Sequence, residues 1–174
     1  FYKWSGGGRI PIFCDTTSCT HTLLFETGGD ILTPENREKY KQLKIMDITQ
    51  WLKEVVLPRI KVIRPKNRIL LHPTCSCQIM GLTPVLLDIA RKCAREVILP
   101  DNWGCCGASG DRGFIFPELS DSATRDERDE IGHESFDGCY SLARTCEIAM
   151  QDHIEQPYES IVYLVDETIQ DQGT

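Results

Sequence analysis

Apolar positions recur along the chain in two rhythms. Ile48, Trp51, Leu52 and Val55 fall at i, i+3, i+4 and i+7, which gives a helix one apolar face. Asp47 can cap it, with Gln50 three residues on as in a capping box, and Pro58 is expected to stop it. Leu86, Ile89, Ala90 and Cys93 mark a second helix, with Thr83 as its cap and Pro84 at its first position. Ile161, Leu164, Val165 and Ile169 mark another, and Cys146 to Ile154 reads as a helix too. Pro34 can open a short helix to about Leu43, and the turn Asp15 to Cys19 can cap one through Thr20 to Leu24. The second rhythm is the short continuous apolar run: Arg9 to Cys14, Arg68 to His72 and Glu96 to Leu99, with a weaker candidate at Phe136 to Tyr140. These runs read as strands. Residues 26–35, around Gly28-Gly29, and the Gly-rich residues 101–113 read as loops, residues 117–134 as partly helical, and residues 59–67 as a basic connector.

Strands alternating with helices predict an α/β fold, a mainly parallel sheet with flanking helices. In such a sheet, loops leaving the strand ends gather along one edge. Cys75, the Cys105-Cys106 pair and Cys146 each follow a predicted strand. They are therefore expected to meet at the C-terminal edge of the strands.

Composition narrows the chemistry. The 174 residues carry 19 basic and 26 acidic side chains, a net charge of −7. No basic stripe is present to neutralise phosphates, so no nucleic-acid partner is expected. No apolar run approaches the ~18 residues of a membrane helix. Residue 1 is Phe and no signal-peptide pattern follows it, so the chain is expected to be a segment of a longer polypeptide. Nine cysteines are too sparse for a disulfide scaffold, and an odd number cannot all pair. Clustered thiols in a chain able to bury a core point to metal or redox work.

Cys105-Cys106-Gly107 is the most specific local feature. A disulfide between neighbours is strained, so a shared metal centre suits the pair better, and Gly107 lets backbone approach a bulky group. Of Cys75 and Cys77, Cys75 lies nearer the strand end and is the expected ligand. Cys146, near a helix start, completes four sulfurs, the complement for an iron–sulfur cluster or for zinc. Cys93 lies on an apolar helix face and is expected in the core, and Cys139, beside Tyr140 in a predicted strand, is read as core or spare. His72, beside Cys75, is a candidate ligand or hydrogen-bonding neighbour.

At these residues the sequence resembles the cysteine-rich CCG domain of heterodisulfide-reductase-like iron–sulfur oxidoreductases. The stretches His72-Pro-Thr-Cys75, Cys105-Cys-Gly-Ala-Ser-Gly-Asp-Arg-Gly113, Phe116-Pro-Glu-Leu119, Ser122-Ala-Thr-Arg125 and Arg144-Thr-Cys-Glu147 carry it. They resemble most the iron–sulfur part of flavin-linked respiratory D-lactate dehydrogenases. Cys75 and Cys105 are separated by 29 residues, as the family pattern requires. Where that pattern ends in Cys-x-x-Cys, this chain has Ala143 in the first position. This removes one ligand of the five-cysteine set, leaving four for a cubane cluster or zinc.

The resemblance implies tandem repeats. Residues 1–66 would be the tail of a first repeat plus a connector, with Cys19 the counterpart of Cys146, and residues 67–174 a complete second repeat. It implies an iron–sulfur cluster (alternatively zinc) on Cys75, Cys105, Cys106 and Cys146, with His72, Gly107, Asp111, Arg112, Arg144 and Glu147 around it. FAD would sit in an upstream domain, with a ferredoxin-like domain between, and electrons would pass to a quinone or other acceptor. The chain alone would then be inactive toward the hydroxy acid. A cytoplasmic location, or a peripheral one on the inner membrane face, and self-association of the isolated chain follow from the same resemblance. Two other functions stay open: a structural zinc domain, and thiol–disulfide chemistry at Cys105-Cys106.

Overall fold

The computed structural model describes residues 1–27 and 31–169, so the loop expected at Gly28-Gly29 lies outside the described residues. The fold is mixed α/β with two parallel sheets. The larger sheet takes its strands in the order β4-β3-β5-β6, where β3 is Lys66–Leu71, β4 Ala94–Ile98, β5 Cys139–Ser141 and β6 Tyr158–Ser160. All three of its pairings are parallel. The smaller sheet pairs β1 (Ile12–Cys14) with β2 (Ile45–Asp47), also parallel.

β5 and the C-terminal half of β3 are buried on both faces, and the side chains of β3 there alternate between two cores. Ile69 and Leu71 point to a core shared with Leu86, Ile89, Cys93 and Leu164; Leu70 points to the other, with Met150, Ile154 and Tyr158. Helices α5 (Thr83–Cys93) and α9 (Ile161–Thr168) supply the first core, α7 (Pro117–Ile131) and α8 (Arg144–Ile154) the second. The expected face of α5 is the buried one: Leu86, Ile89, Ala90 and Cys93. Thr83, however, does not cap it. Leu82 takes the cap position, with no side-chain bond, and Pro84 lies in the first turn.

Helix α3 (Ile48–Trp51) begins at Asp47 with both bonds of the capping box. It continues as a π turn and then a 3-10 turn, so Pro58 lies inside the last turn rather than beyond it. The 3-10 geometry tolerates Pro58 because a proline near a helix start has no N–H partner to lose. The basic connector is pinned: Val62 bridges Ile169, and Ile63 and Arg64 donate to the Thr168 carbonyl. β2 and β6 were not expected. Each has three residues and leads directly into a capped helix, Asp47 capping α3 and Ser160 capping α9.

That parallel repeats at the other end of each unit. In both, a strand is followed by two residues and then a helix whose third residue is a cysteine. β1 leads to α1 (Thr17–His21) and Cys19; β5 leads to α8 and Cys146. β5 has neighbours on both edges, whereas among the described residues β1 pairs with β2 alone. Near β1, Phe1, Trp4, Ile10 and Phe13 expose apolar surface, with Phe13 stacked on Trp51 at 4.6 Å.

Candidate metal and redox site

Three segments leave the C-terminal ends of β3, β4 and β5 carrying thiols. β3 leads through Thr74 to Cys75, the first residue of α4 (Cys75–Ile79). β4 leads to the loop bearing Cys105 and Cys106, and β5 leads to Cys146 in the first turn of α8. All four line one cavity of ≈ 310 Å³, together with Thr74, Ser76, Ser109, Ala143 and Thr145. Cys75 is helical rather than extended, but Cys77 still points away: it is fully buried, its N–H donates to Thr74 Oγ1 at 3.2 Å, and its thiol is pushed up to about 12 by burial.

The four sulfurs form a chain of contacts. Cys105 is in side-chain contact with Cys75 and with Cys106, and Cys106 Sγ donates to Cys146 Sγ at 2.9 Å. Cys75 and Cys105, at one end of that chain of contacts, are exposed; Cys106 and Cys146, at the other, are buried. Burial, then the Cys105 sulfur, pushes the Cys75 thiol up. The Cys106 contact, then burial, pushes Cys105 up. A hydrogen bond with Cys105 lowers Cys106, but the Cys146 contact and burial outweigh it and leave the thiol at about 12. Crowding thus opposes ionising the thiols together, and a cation is the group that would reverse this. Four sulfurs at one sheet edge suit a soft metal or an iron–sulfur cluster in type and number. Among the described residues, no three His, Cys, Asp or Glu side chains close around a single ion-sized point.

A buried polar girder braces the strand ends. His72 is fully buried and its Nδ1 lies 2.9 Å from Glu127 Oε2 on α7. The His72 carbonyl accepts from Ser141 Oγ at 2.8 Å, tying the end of β3 to the end of β5 just before their cysteines. His72 therefore positions the Cys75 segment instead of lining the cavity. Its Nε2, like the Tyr158 hydroxyl, is buried with no hydrogen-bond partner among the described residues. Glu127 escaped sequence reading because its face of α7 is polar: Ser120, Thr124, Glu127 and Ile131 are the buried residues of a charged helix. The helical spacing was the available signal, but apolar periodicity does not register it.

Gly107 sits at φ +73°, and a Cβ there would lie 2.6 Å from the Leu119 carbonyl oxygen. It lets the thiol loop rest directly on α7. Asp111 and Arg112 are exposed and do not line the thiol cavity. Arg144 and Glu147, joined at 3.2 Å, line a separate polar cavity of ≈ 420 Å³ with Asp15, Thr16, Glu159, Ser160 and Tyr163. Burial raises the Glu147 carboxyl above its ordinary value against the pull of Arg144.

Ala143 lines the thiol cavity at the position where the resemblance expects a fifth cysteine. Ser18 of α1 completes the wall, and Thr17 donates to the Leu142 carbonyl, so residues 1–66 take part in the site. Cys19 is exposed and outside the cavity lining, Cys14 is half-buried, and Cys93 and Cys139 are in the cores. Among the described residues, no helix is long and apolar enough to cross a membrane. A scan of protein-family models finds no match for the chain, and a search of curated proteins finds no significant relative.

Proposed function

We propose that this chain is a cysteine-rich electron-transfer domain, holding an iron–sulfur cluster on Cys75, Cys105, Cys106 and Cys146. The observation that carries the reading is convergence: four cysteines from three distant segments line one cavity beyond the C-terminal ends of parallel strands. When bound, such a cluster takes up and releases single electrons. The chain's own residues hold the sulfurs. Thr74 starts α4 under Cys75, Gly107 lets the Cys105-Cys106 loop lie against α7, and the His72–Glu127 pair fixes the end of β3. The half-exposed arrangement, two thiols out and two in, leaves one side open to a redox partner while burying the other.

The resemblance to the iron–sulfur part of flavin-linked D-lactate dehydrogenases suggests that partner. A flavin domain would oxidise the 2-hydroxy acid, and this domain would relay electrons toward a quinone or another acceptor. The flavin belongs to the partner, so no residue described here is asked to hold it.

The test is anaerobic reconstitution with iron and sulfide, then reduction by a photoreduced free flavin. The expected result is a brown protein whose visible absorption bleaches and recovers on reoxidation. A colourless protein that retains zinc and accepts no electrons would overturn this reading in favour of a structural zinc domain.

A further inference from the structure

We infer that Cys106 and Cys146 form a two-electron dithiol–disulfide couple, closing when the metal-free chain meets a low-molecular-weight disulfide. Thiol chemistry at this site is expected from sequence at the adjacent pair, Cys105-Cys106. The geometry points elsewhere. Neighbouring residues close a strained ring, whereas Cys106 Sγ and Cys146 Sγ already lie 2.9 Å apart on separate segments. Both are reduced, and they are 4 % and 8 % exposed. They lie in a cavity whose other thiols, Cys75 and Cys105, are exposed, which gives a small disulfide a way in.

The exchange balances without a further co-reactant. The Cys146 thiolate attacks one sulfur of R–S–S–R; the S–S bond breaks, RS⁻ leaves and is protonated to RSH, and a Cys146–S–S–R bond remains. The Cys106 thiolate then attacks Cys146 Sγ, a second RS⁻ leaves and is protonated, and Cys106–S–S–Cys146 forms. Two cysteine thiols are oxidised and one small disulfide is reduced to two thiols. The two protons released from the cysteines are taken up by the two leaving groups.

The cross-link would join the loop after β4 to α8 and withdraw two of the four sulfurs from metal binding. Oxidation would therefore hold the site in a form that cannot be loaded until a thiol reopens it. The couple stands on the sulfur geometry of the metal-free chain and does not rest on the cluster reading.

The experiment uses the full chain, reduced, stripped of metal and titrated anaerobically with glutathione disulfide. Acid quenching, alkylation and non-reducing peptide mapping follow. The expected product has lost two hydrogens and links the peptide containing Cys105-Cys106 to the peptide containing Cys146, with Cys75 alkylated. Dithiothreitol reverses it. In Cys105→Ser the same link persists, which assigns it to Cys106; in Cys93→Ser it is unchanged. The oxidised chain loses most of its iron uptake until reduced. A Cys75–Cys105 link, a Cys105–Cys106 link, or stable glutathione adducts on Cys106 or Cys146 would overturn the inference. So would full alkylation of every thiol after the titration. The wild-type map alone distinguishes these outcomes should Cys105→Ser fail to fold. Failure of iron–sulfide reconstitution would leave this result untouched, since no metal enters the mapping.

Discussion

Replacing Gly107 by alanine tests how the thiol loop is held. The position sits at φ +73°, and an added Cβ would meet the Leu119 carbonyl oxygen at 2.6 Å, Ser120 Cα at 2.7 Å and Ala123 Cβ at 2.9 Å. A left-handed backbone costs a non-glycine residue about 1–2 kcal/mol. Ordinary contact begins near 3.4 Å, so loop and helix must part by about 0.8 Å, and two of the three obstacles are backbone atoms of α7 that cannot rotate away. Overpacking of this kind costs about 1–3 kcal/mol. The sum, about 2–5 kcal/mol, corresponds to a fall in Tm of about 4–20 °C for a chain of this size. Gly110→Ala is the matched control, because Gly110 has φ +76° and nothing within 4 Å of its added Cβ. It should lose only the backbone share, about 1–2 kcal/mol. Urea unfolding of both variants separates the two costs. If Gly107→Ala is no less stable than Gly110→Ala, the loop does not rest on α7 and the account of how Cys106 is placed fails.

Three further outcomes follow from the same structure. Brief native alkylation should label Cys19, Cys75 and Cys105, whereas Cys77, Cys93 and Cys139 should react only after denaturation, since they are buried and burial holds the Cys77 and Cys139 thiols at about 12; native labelling of Cys77 or Cys139 would contradict the assigned cores. Glu127→Ala removes the carboxylate partner of a fully buried His72 and should cost about 1–3 kcal/mol in urea unfolding, with Glu127→Gln costing less; equal stability of both variants and wild type would remove the girder from the account. Asp137 accepts the Asn67 N–H at 2.6 Å and the Arg68 N–H, and these bonds hold its carboxyl below the ordinary range. Its folded form therefore releases its proton more readily than the unfolded chain, so its stabilisation is complete above about pH 4 and is lost as pH falls through the depressed value. Asp137→Asn should flatten the acid limb of the stability–pH curve, and an unchanged limb would show that the bonds carry no net stability.

Much of this was legible in the sequence where patterns are strong. The buried face of α5, the capping box at Asp47 and the strand before Cys75 were readable because apolar spacing and side-chain capping act over a few residues. β2 and β6 were not readable, since each has three residues and its pairing partner lies about twenty or more positions away. Such strands exist through tertiary pairing, which local propensity does not record. The choice of Cys75, Cys105, Cys106 and Cys146 came from position after strands, and the cavity they line was the part topology could carry. The supporting chemistry was not: Glu127 looks like surface charge until α7 is seen against His72, and Asp111 and Arg112 look like neighbours of the thiols until they are seen exposed. Ala143 is the opposite case, a plain residue whose importance lies in its place in the cavity wall.

The central claim is that four particular sulfurs act as one ligand set. The most direct measurement is iron and acid-labile sulfide per chain after anaerobic reconstitution, taken across single substitutions of the cysteines. Cys75→Ser, Cys105→Ser, Cys106→Ser and Cys146→Ser should each lose the visible absorption and most of the bound iron while remaining folded. Cys93→Ala should keep both and lose only about 1 kcal/mol of stability, as expected for trimming a small core group. Full iron and sulfide in any one of the four serine variants, or equal loss in Cys93→Ala, would contradict the assignment.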